Sequence, residues 1–172
     1  MINMATSRHL GQVRIVAESR GEPGQRRFRL QAINDDGDSA AIWMEKEQLA
    51  AVGDAIETVL KDEEYGYVRH PLDDLEEPPV FPYNAAIEMQ AGQLSMGVNR
   101  ETQRLVLIGA EAPAEDAEPD SVTFEFDYRR GEELRRQILD VVAAGRPPCP
   151  LCTAPMDPAG HVCVKTNGHR PH

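Results

Sequence analysis

Residues 11–44 read GQVRIVAESRGEPGQRRFRLQAINDDGDSAAIWM, and this stretch decides the fold class of the chain. Apolar residues stand at every second position in two parts of it, at Val13, Ile15, Ala17, Phe28 and Leu30. Such alternation places the apolar side chains on one face of a β-strand. The Gly- and Asp-rich segments 21–24 and 34–38 are typical of turns. The stretch therefore predicts three consecutive strands, each with one buried face.

A helical pattern follows the third strand. Its apolar residues are spaced three and four positions apart, at Leu49, Val52, Ile56, Val59 and Leu60. This spacing places them along one face of a helix. We therefore predict that an amphipathic helix closes the first part of the chain.

The same order of elements recurs between residues 92 and 142. Three strands are predicted at 92–98, 104–108 and 121–126, and the last alternates through Val122, Phe124 and Phe126. A second helical pattern has apolar residues at Leu134, Ile138, Val141 and Val142. The sequence thus predicts an α+β protein whose strand-rich body consists of two β-β-β-α repeats.

Composition divides the chain into four segments. The first β-β-β-α half occupies residues 1–61 and the second occupies residues 85–145. Between them, residues 62–84 are acidic and rich in proline, which predicts an extended connector. Residues 146–172 form a separate tail. Edge strands of the two halves can pair between chains, so a homodimer is one expectation.

The charge of the chain restricts its partners. Lys and Arg total 18 against 29 Asp and Glu, and the net charge is −11. This balance argues against sequence-independent binding to nucleic acid or to an anionic membrane surface. Residues 1–12 lack the apolar core of a secretory signal, so we expect a cytoplasmic protein. The acidic loop 111–120 fits either a solvated surface or a contact face for a basic partner.

Residues that bind metal ions are concentrated in the tail. It contains all three cysteines and three of the five histidines, whereas the whole acidic excess lies in residues 1–145. Cys149 and Cys152 have the Cys-x-x-Cys spacing with which two thiolates wrap around one ion. A tetrahedral zinc site then requires two further ligands.

His161 and Cys163 are the candidates for these positions. They are two residues apart, so an extended strand places both side chains on one face. The intervening loop 153–160 is long enough to return the pair to the first two thiols. The predicted zinc ligands are therefore Cys149, Cys152, His161 and Cys163, with His169 as the alternative fourth ligand.

Other uses of these cysteines are less compatible with the sequence. A thioredoxin-like redox motif normally begins a helix after a strand, whereas Cys149 follows a predicted helix end and stands between two prolines. The odd number of cysteines and the expected compartment disfavour a disulfide. Outside the tail, Trp43 is predicted to be core or half-buried, and no phosphate-binding or hydrolase motif is present in the sequence.

The number of ligands separates two hypotheses of function. Four protein ligands close the coordination sphere, which makes the zinc structural and favours a non-enzymatic adaptor or protein-interaction protein with an ordered tail. Three ligands leave an open position for water, and the chain would then be a metal-dependent hydrolase. A weaker third hypothesis is that the acidic body mimics nucleic acid.

The whole chain resembles an uncharacterised, mainly actinobacterial family classed as a domain of unknown function. The resemblance rests on the turn GEPGQR at 21–26, the segment MEKEQ at 44–48, and the ending from Cys149 to Gly168. Thr153 and Val164 depart from the family pattern, which has Gly and Pro there. The resemblance implies a zinc-ribbon-like end. It also implies an accessory role beside a phosphatase-like or a lipid-kinase-like protein, because members are often encoded near such proteins.

Overall fold

The computed structural model describes residues 5–22, 24–62, 80–82, 84–144, 150–152 and 163. It confirms a strand-rich α+β fold, with seven strands and two helices among the described residues. In chain order these are β1 (Ser7–Arg20), β2 (Arg27–Asn34), β3 (Ser39–Met44), α1 (Lys46–Lys61), β4 (Ile87–Gln90), β5 (Gln93–Asn99), β6 (Arg104–Ala110), β7 (Ser121–Asp127) and α2 (Tyr128–Ala143). The short strand β4 was not predicted from the sequence.

All these strands belong to one mixed sheet with the order β4-β3-β2-β1-β7-β6-β5. The strands β1, β2 and β3 form an antiparallel meander, and β5, β6 and β7 form another. The two meanders meet where β1 pairs with β7 in parallel, and β4 pairs in parallel with β3. The sequence had left open whether the halves form one sheet or two, and the β1–β7 pairing makes them one.

The strand β1 is long because it serves both meanders. Its first part pairs with β7 as far as Gln12, and its second part pairs with β2 from Val13 onward. The register shifts between His9 and Gly11, and Gly11 has φ +67°, a backbone conformation that glycine adopts without steric cost. The bulge therefore lets one strand change partners.

The two ends of the sheet are joined by residues 91 and 92. The Ala91 nitrogen donates to the carbonyl oxygen of Trp43 on β3 at 2.8 Å, and the Gly92 nitrogen donates to that of Ala110 on β6 at 2.8 Å. Across the interior, a Cβ built at Gly109 on β6 would lie 2.7 Å from Ile42 Cδ1 on β3. The sheet is therefore strongly curled, so that β3 and β6 face each other.

The helices α1 and α2 pack against each other and against the sheet. At their contact, a Cβ built on Gly53 of α1 would lie 3.2 Å from Ile138 Cγ2 of α2. The apolar residues that define the predicted strand faces are buried: Val13, Ile15, Ala17, Phe28, Leu30, Val122, Phe124 and Phe126. Leu49, Val52, Ile56, Leu60, Leu134 and Ile138 of the predicted helix faces are buried as well. One core thus includes both parts of the body.

Candidate functional site

The predicted zinc ligands lie only partly within the described residues. Cys152 is half-buried in a turn, and Cys163 is buried with 5% exposure. Cys149, His161 and the alternative ligand His169 lie outside the described residues. Within the residues that the structure describes, no three Cys, His, Asp or Glu side chains are grouped as a metal site. The four-ligand set therefore stays a prediction.

Cys163 is more buried than Leu151, another described residue of the tail. Leu151, beside Cys152, is 48% exposed although its side chain is strongly apolar. Buried thiols pack as small apolar groups or act as metal ligands, and both roles require an ordered environment.

A row of polar and aromatic side chains crosses the face of the sheet opposite Phe28, Leu30, Ile42 and Met44. In register across β1 to β4, it consists of Glu18, Arg29, Trp43 and Gln90. The guanidinium carbons of Arg27 and Arg29 lie 4.4 and 4.9 Å from the centroid of the Trp43 ring. Such stacking over an aromatic face is favourable for arginine.

The polar groups of this row form hydrogen bonds and an ion pair with other side chains of the same sheet. Arg29 is buried with 7% exposure and forms an ion pair and a hydrogen bond with Glu18. Trp43 Nε1 donates to Glu88 Oε1 at 3.4 Å, and Arg27 donates to Gln90 Oε1 at 3.3 Å. Trp43 is half-buried, which confirms the sequence prediction, and the arrangement serves to hold β1 to β4 together.

An apolar cleft of about 190 Å³ lies between α1 and β5. The helix side is lined by Gln48, Ala51, Val52 and Ala55, the strand side by Leu94, Ser95 and Met96, and Leu107 of β6 also lines the cleft. No pattern in the sequence predicted this cleft. The helical spacing of small residues at 51 and 55 was visible, but which strand would face them was not.

The acidic loop between β6 and β7 borders two polar clefts of about 170 and 250 Å³. Asp120 in this loop accepts a hydrogen bond from the Thr6 nitrogen at 2.8 Å, and the Glu111 nitrogen donates to the Asp120 carbonyl oxygen at 2.9 Å. These contacts fix the loop beside the start of β1. Asp120 therefore has a structural role in holding the loop, whereas the other carboxylates of the loop fit a solvated surface.

Comparison of the sequence with models of protein families identifies the family of this chain. A model described as "Protein of unknown function (DUF3090)" matches residues 10–163. The chain belongs to this family. The match begins at Leu10, within the parallel segment of β1, and ends at Cys163, so it includes most of the body and the predicted ligands Cys149, Cys152, His161 and Cys163. No curated protein matches the chain significantly.

None of the helices among the described residues is long and apolar enough to cross a membrane.

Proposed function

We propose that this DUF3090 member is a zinc-binding, non-enzymatic adaptor protein whose C-terminal tail is ordered by one structural zinc ion. The observation that carries the proposal is the concentration of three cysteines in the tail, with Cys163 buried at 5% exposure. A segment with so few apolar residues cannot build a core, and bound metal replaces one.

The proposed ligands are Cys149, Cys152, His161 and Cys163. Thiolates and a neutral imidazole are the donors that zinc prefers, and four of them close a tetrahedral site. A reducing compartment such as the cytoplasm keeps the thiols available for the metal. The ordered tail then forms one contact surface for a protein partner, and the family resemblance suggests a phosphatase-like or kinase-like protein.

We also infer that the body arose from two β-β-β-α repeats. Two observations support this inference. The strand β1 pairs in parallel with β7 before it pairs in antiparallel with β2. The segment β4–β5 likewise pairs in parallel with β3 before it pairs in antiparallel with β6. Each of these two segments therefore changes partner along its length, and each meander is followed by a helix.

Metal analysis of the full chain tests the zinc site. We expect one zinc ion per chain, lost in Cys149→Ser and in Cys163→Ser. The matched control His9→Ala changes an exposed histidine of β1 and should retain the ion. His161→Ala and His169→Ala identify the fourth ligand, because only the true ligand should lower zinc affinity strongly. A full chain that copurifies with no metal and binds none on titration would contradict the proposal.

The spectrum of the cobalt-substituted protein distinguishes an adaptor from a hydrolase. Four protein ligands, three of them thiolates, should give an intense tetrahedral spectrum that added anions do not change. An open site with three protein ligands would exchange its water and respond to anions, and the metal-dependent hydrolase would then replace the adaptor.

Partner binding tests the adaptor role of the tail. A protein captured by the full chain should be lost with Cys163→Ser and retained with His9→Ala, while far-UV circular dichroism stays unchanged in both variants. If the partner is captured equally with and without zinc, the zinc-ordered tail is not part of the interface. The metal would then have a purely structural role.

A further inference from the structure

One face of the strands β5, β6 and β7 points away from the core. We call it the outer face and define it as every second residue of 93–97, 106–110 and 121–125, which pair in three complete rows across the strands. Residues between these positions, such as Leu105, Leu107 and Phe124, are buried in the core. None of the outer-face residues is buried. The outer face is therefore a solvent-exposed surface of the sheet.

The outer face carries little charge for a chain of this composition. Charged residues make up 27% of the sequence, and the net charge is −11. Of the nine outer-face residues only Glu125 is charged, and its Oε2 lies 3.8 Å from Arg104 Nη1. The rows continue on β1 through Ser7, His9 and Gln12, none of which is Asp, Glu, Lys or Arg. The outer face is thus nearly uncharged on a strongly acidic protein.

The centre of the outer face is apolar. Ile108 lies in the middle row of the middle strand β6 and is 39% exposed. On the same strand and face it is flanked by Val106 and Ala110. Its neighbours across the strands are Ser95 on β5 and Thr123 on β7. An apolar centre with polar residues around it is the usual anatomy of a protein interface.

Gly97 is a second and independent indication that another molecule approaches β5. It is not among the glycines with positive φ, and a Cβ built there would meet no described atom within 4 Å. Neither the backbone conformation nor the space around it therefore requires glycine. A glycine inside a strand lowers stability, and it often marks a place where another backbone or a ligand comes close.

We propose that the outer face binds the same face of a second copy of this chain, so that two sheets pack face to face in a dimer. Two chains that each carry a charge of −11 repel each other least where their surfaces are uncharged. A two-fold interface must also be complementary to itself. The hydroxyl groups of Ser95 and Thr123 both donate and accept hydrogen bonds, so each matches its own counterpart, and Ile108 packs on an equally apolar surface.

Other surfaces of the sheet are less suited to a second copy. The helix α1 packs against β5 and lines the apolar cleft with it, so a helix already covers this edge. The edge strand β4 has only four residues and carries the exposed Glu88. Opposite the core on β2, Arg29 and Gln31 are buried with 7% and 5% exposure. Of these surfaces, the outer face is the one that is both exposed and uncharged.

The size of the outer face predicts a weak dimer. Three rows across four strands, β1 included, measure about 20 by 20 Å, or about 400 Å². A standard interface buries about 800 Å² per partner. Because the outer face is about half as large, the dimer should exchange with the monomer at micromolar concentrations. This inference goes beyond the proposed function, since it uses no residue of the tail.

Sedimentation equilibrium of the full-length, zinc-loaded protein over about two decades of concentration tests the proposal. We expect a reversible equilibrium between monomer and dimer. Added NaCl should strengthen the dimer, because ions screen the repulsion between two acidic chains and the interface is nearly uncharged. A monomer at every concentration, or a dimer that NaCl dissociates, overturns the proposal.

Surface variants locate the interface. Ile108→Lys should weaken the dimer at least tenfold, whereas Leu139→Lys, the same type of change at a 54% exposed position of α2, should not. Ser95→Lys should act like Ile108→Lys, and its control is Thr58→Lys on α1. All four positions are exposed, so each variant should fold, which circular dichroism verifies. Each lysine also lowers the net negative charge, so a general effect of charge would strengthen the dimer. Equal dimerisation of the variants and their controls overturns the proposal.

Two further variants separate this inference from its alternatives. Gly97→Gln adds bulk without charge, so it should weaken the dimer at least tenfold while the monomer remains as stable to urea. An unchanged dimer in Gly97→Gln overturns the close approach of the two copies at β5.

Cys163→Ser should lose zinc and retain the dimer. A dimer that is retained in a chain binding no zinc would contradict the proposed zinc site alone and support the outer face. A dimer that is lost in Cys163→Ser but retained in Ile108→Lys would assign the interface to the tail and overturn the proposal.

Discussion

Gly92 lies where the chain passes from β4 to β5, and no side chain fits there. A Cβ at this position would lie 2.4 Å from the Ala112 nitrogen and 2.5 Å from the Ala112 Cα. These are backbone atoms, so a rotamer change cannot relieve the clash. At Gly97 on β5, in contrast, an added Cβ would meet nothing within 4 Å. The two glycines therefore have different roles although both belong to the same edge of the sheet.

We expect Gly92→Ala to lower the free energy of unfolding by about 3 kcal/mol, because the junction between β4 and β5 must move. The matched control Gly97→Ala should change it by less than about 0.5 kcal/mol. Urea denaturation of both variants measures the difference. Equal stability of the two would show that the close approach of Gly92 to Ala112 does not constrain the fold.

Glu18 compensates the charge of Arg29, which is 7% exposed on the sheet. We expect Glu18→Gln to lower the free energy of unfolding by about 2 kcal/mol, since a nearly buried guanidinium would lose its anionic partner. The control Glu22→Gln changes an exposed residue of the β1–β2 turn and should have little effect. Thermal denaturation at low and high salt checks this prediction, and a full loss of the Glu18 effect at high salt would mean that the pair is solvent-screened.

At the level of elements, the ends of the helices tie them to the sheet. Asp127 is the last residue of β7 and caps α2, since its Oδ1 accepts from the Arg130 nitrogen at 2.8 Å. At the start of α1, Gln48 Oε1 accepts from the Glu45 nitrogen at 2.9 Å, and Gln48 Nε2 donates to the Ala91 oxygen at 3.3 Å. The helix α2 therefore follows directly from a strand residue, and the first turn of α1 is bonded to the junction between β4 and β5.

We expect Asp127→Ala to destabilise the protein by about 1 kcal/mol because it removes the acceptor that caps α2. Asp127→Ser retains a side-chain oxygen at the cap and should recover most of this loss. Chemical denaturation of the two variants provides the measurement. If serine is no better than alanine, the ionic contact with Arg130 at 3.9 Å, and not the cap, would account for the effect.

In the whole molecule, the core includes residues from both halves, and β1 takes part in both meanders. Such a core should unfold as one unit. Leu30 and Leu105 are fully buried in different meanders, so they report on the two halves separately.

We expect Leu30→Ala and Leu105→Ala each to cost about 3 kcal/mol and each to shift one common transition. Trp43 is the one tryptophan of the sequence and reports on the first half, whereas circular dichroism reports on the whole. The two signals should coincide in both variants. Separate transitions would show that the halves unfold independently in spite of the β1–β7 pairing.

The sequence predicted most of the elements because local periodicity reflects burial. Alternation at Phe124 and Phe126, and the helical spacing of Leu49 and Ile56, each indicate one apolar face, and all four residues are buried. The strand β4 has only four residues, and its pairing with β3 depends on a contact distant in sequence, so no local pattern reveals it. The zinc ligands Cys149 and His161 were predicted from spacing alone and await a metal measurement.

By itself, the sequence determined the α+β class, the two helices, the alternating strands and the separation of a cysteine-rich tail from an acidic body. It did so because these features follow from residues close together in the chain. The tertiary structure alone decided that the strands form one curled sheet and that Arg27 and Arg29 stack on Trp43. It also decided that α1 leaves a cleft beside β5. These features depend on which strands become neighbours. Strand pairing joins residues that are distant in the sequence, so a local pattern of residues does not predict it.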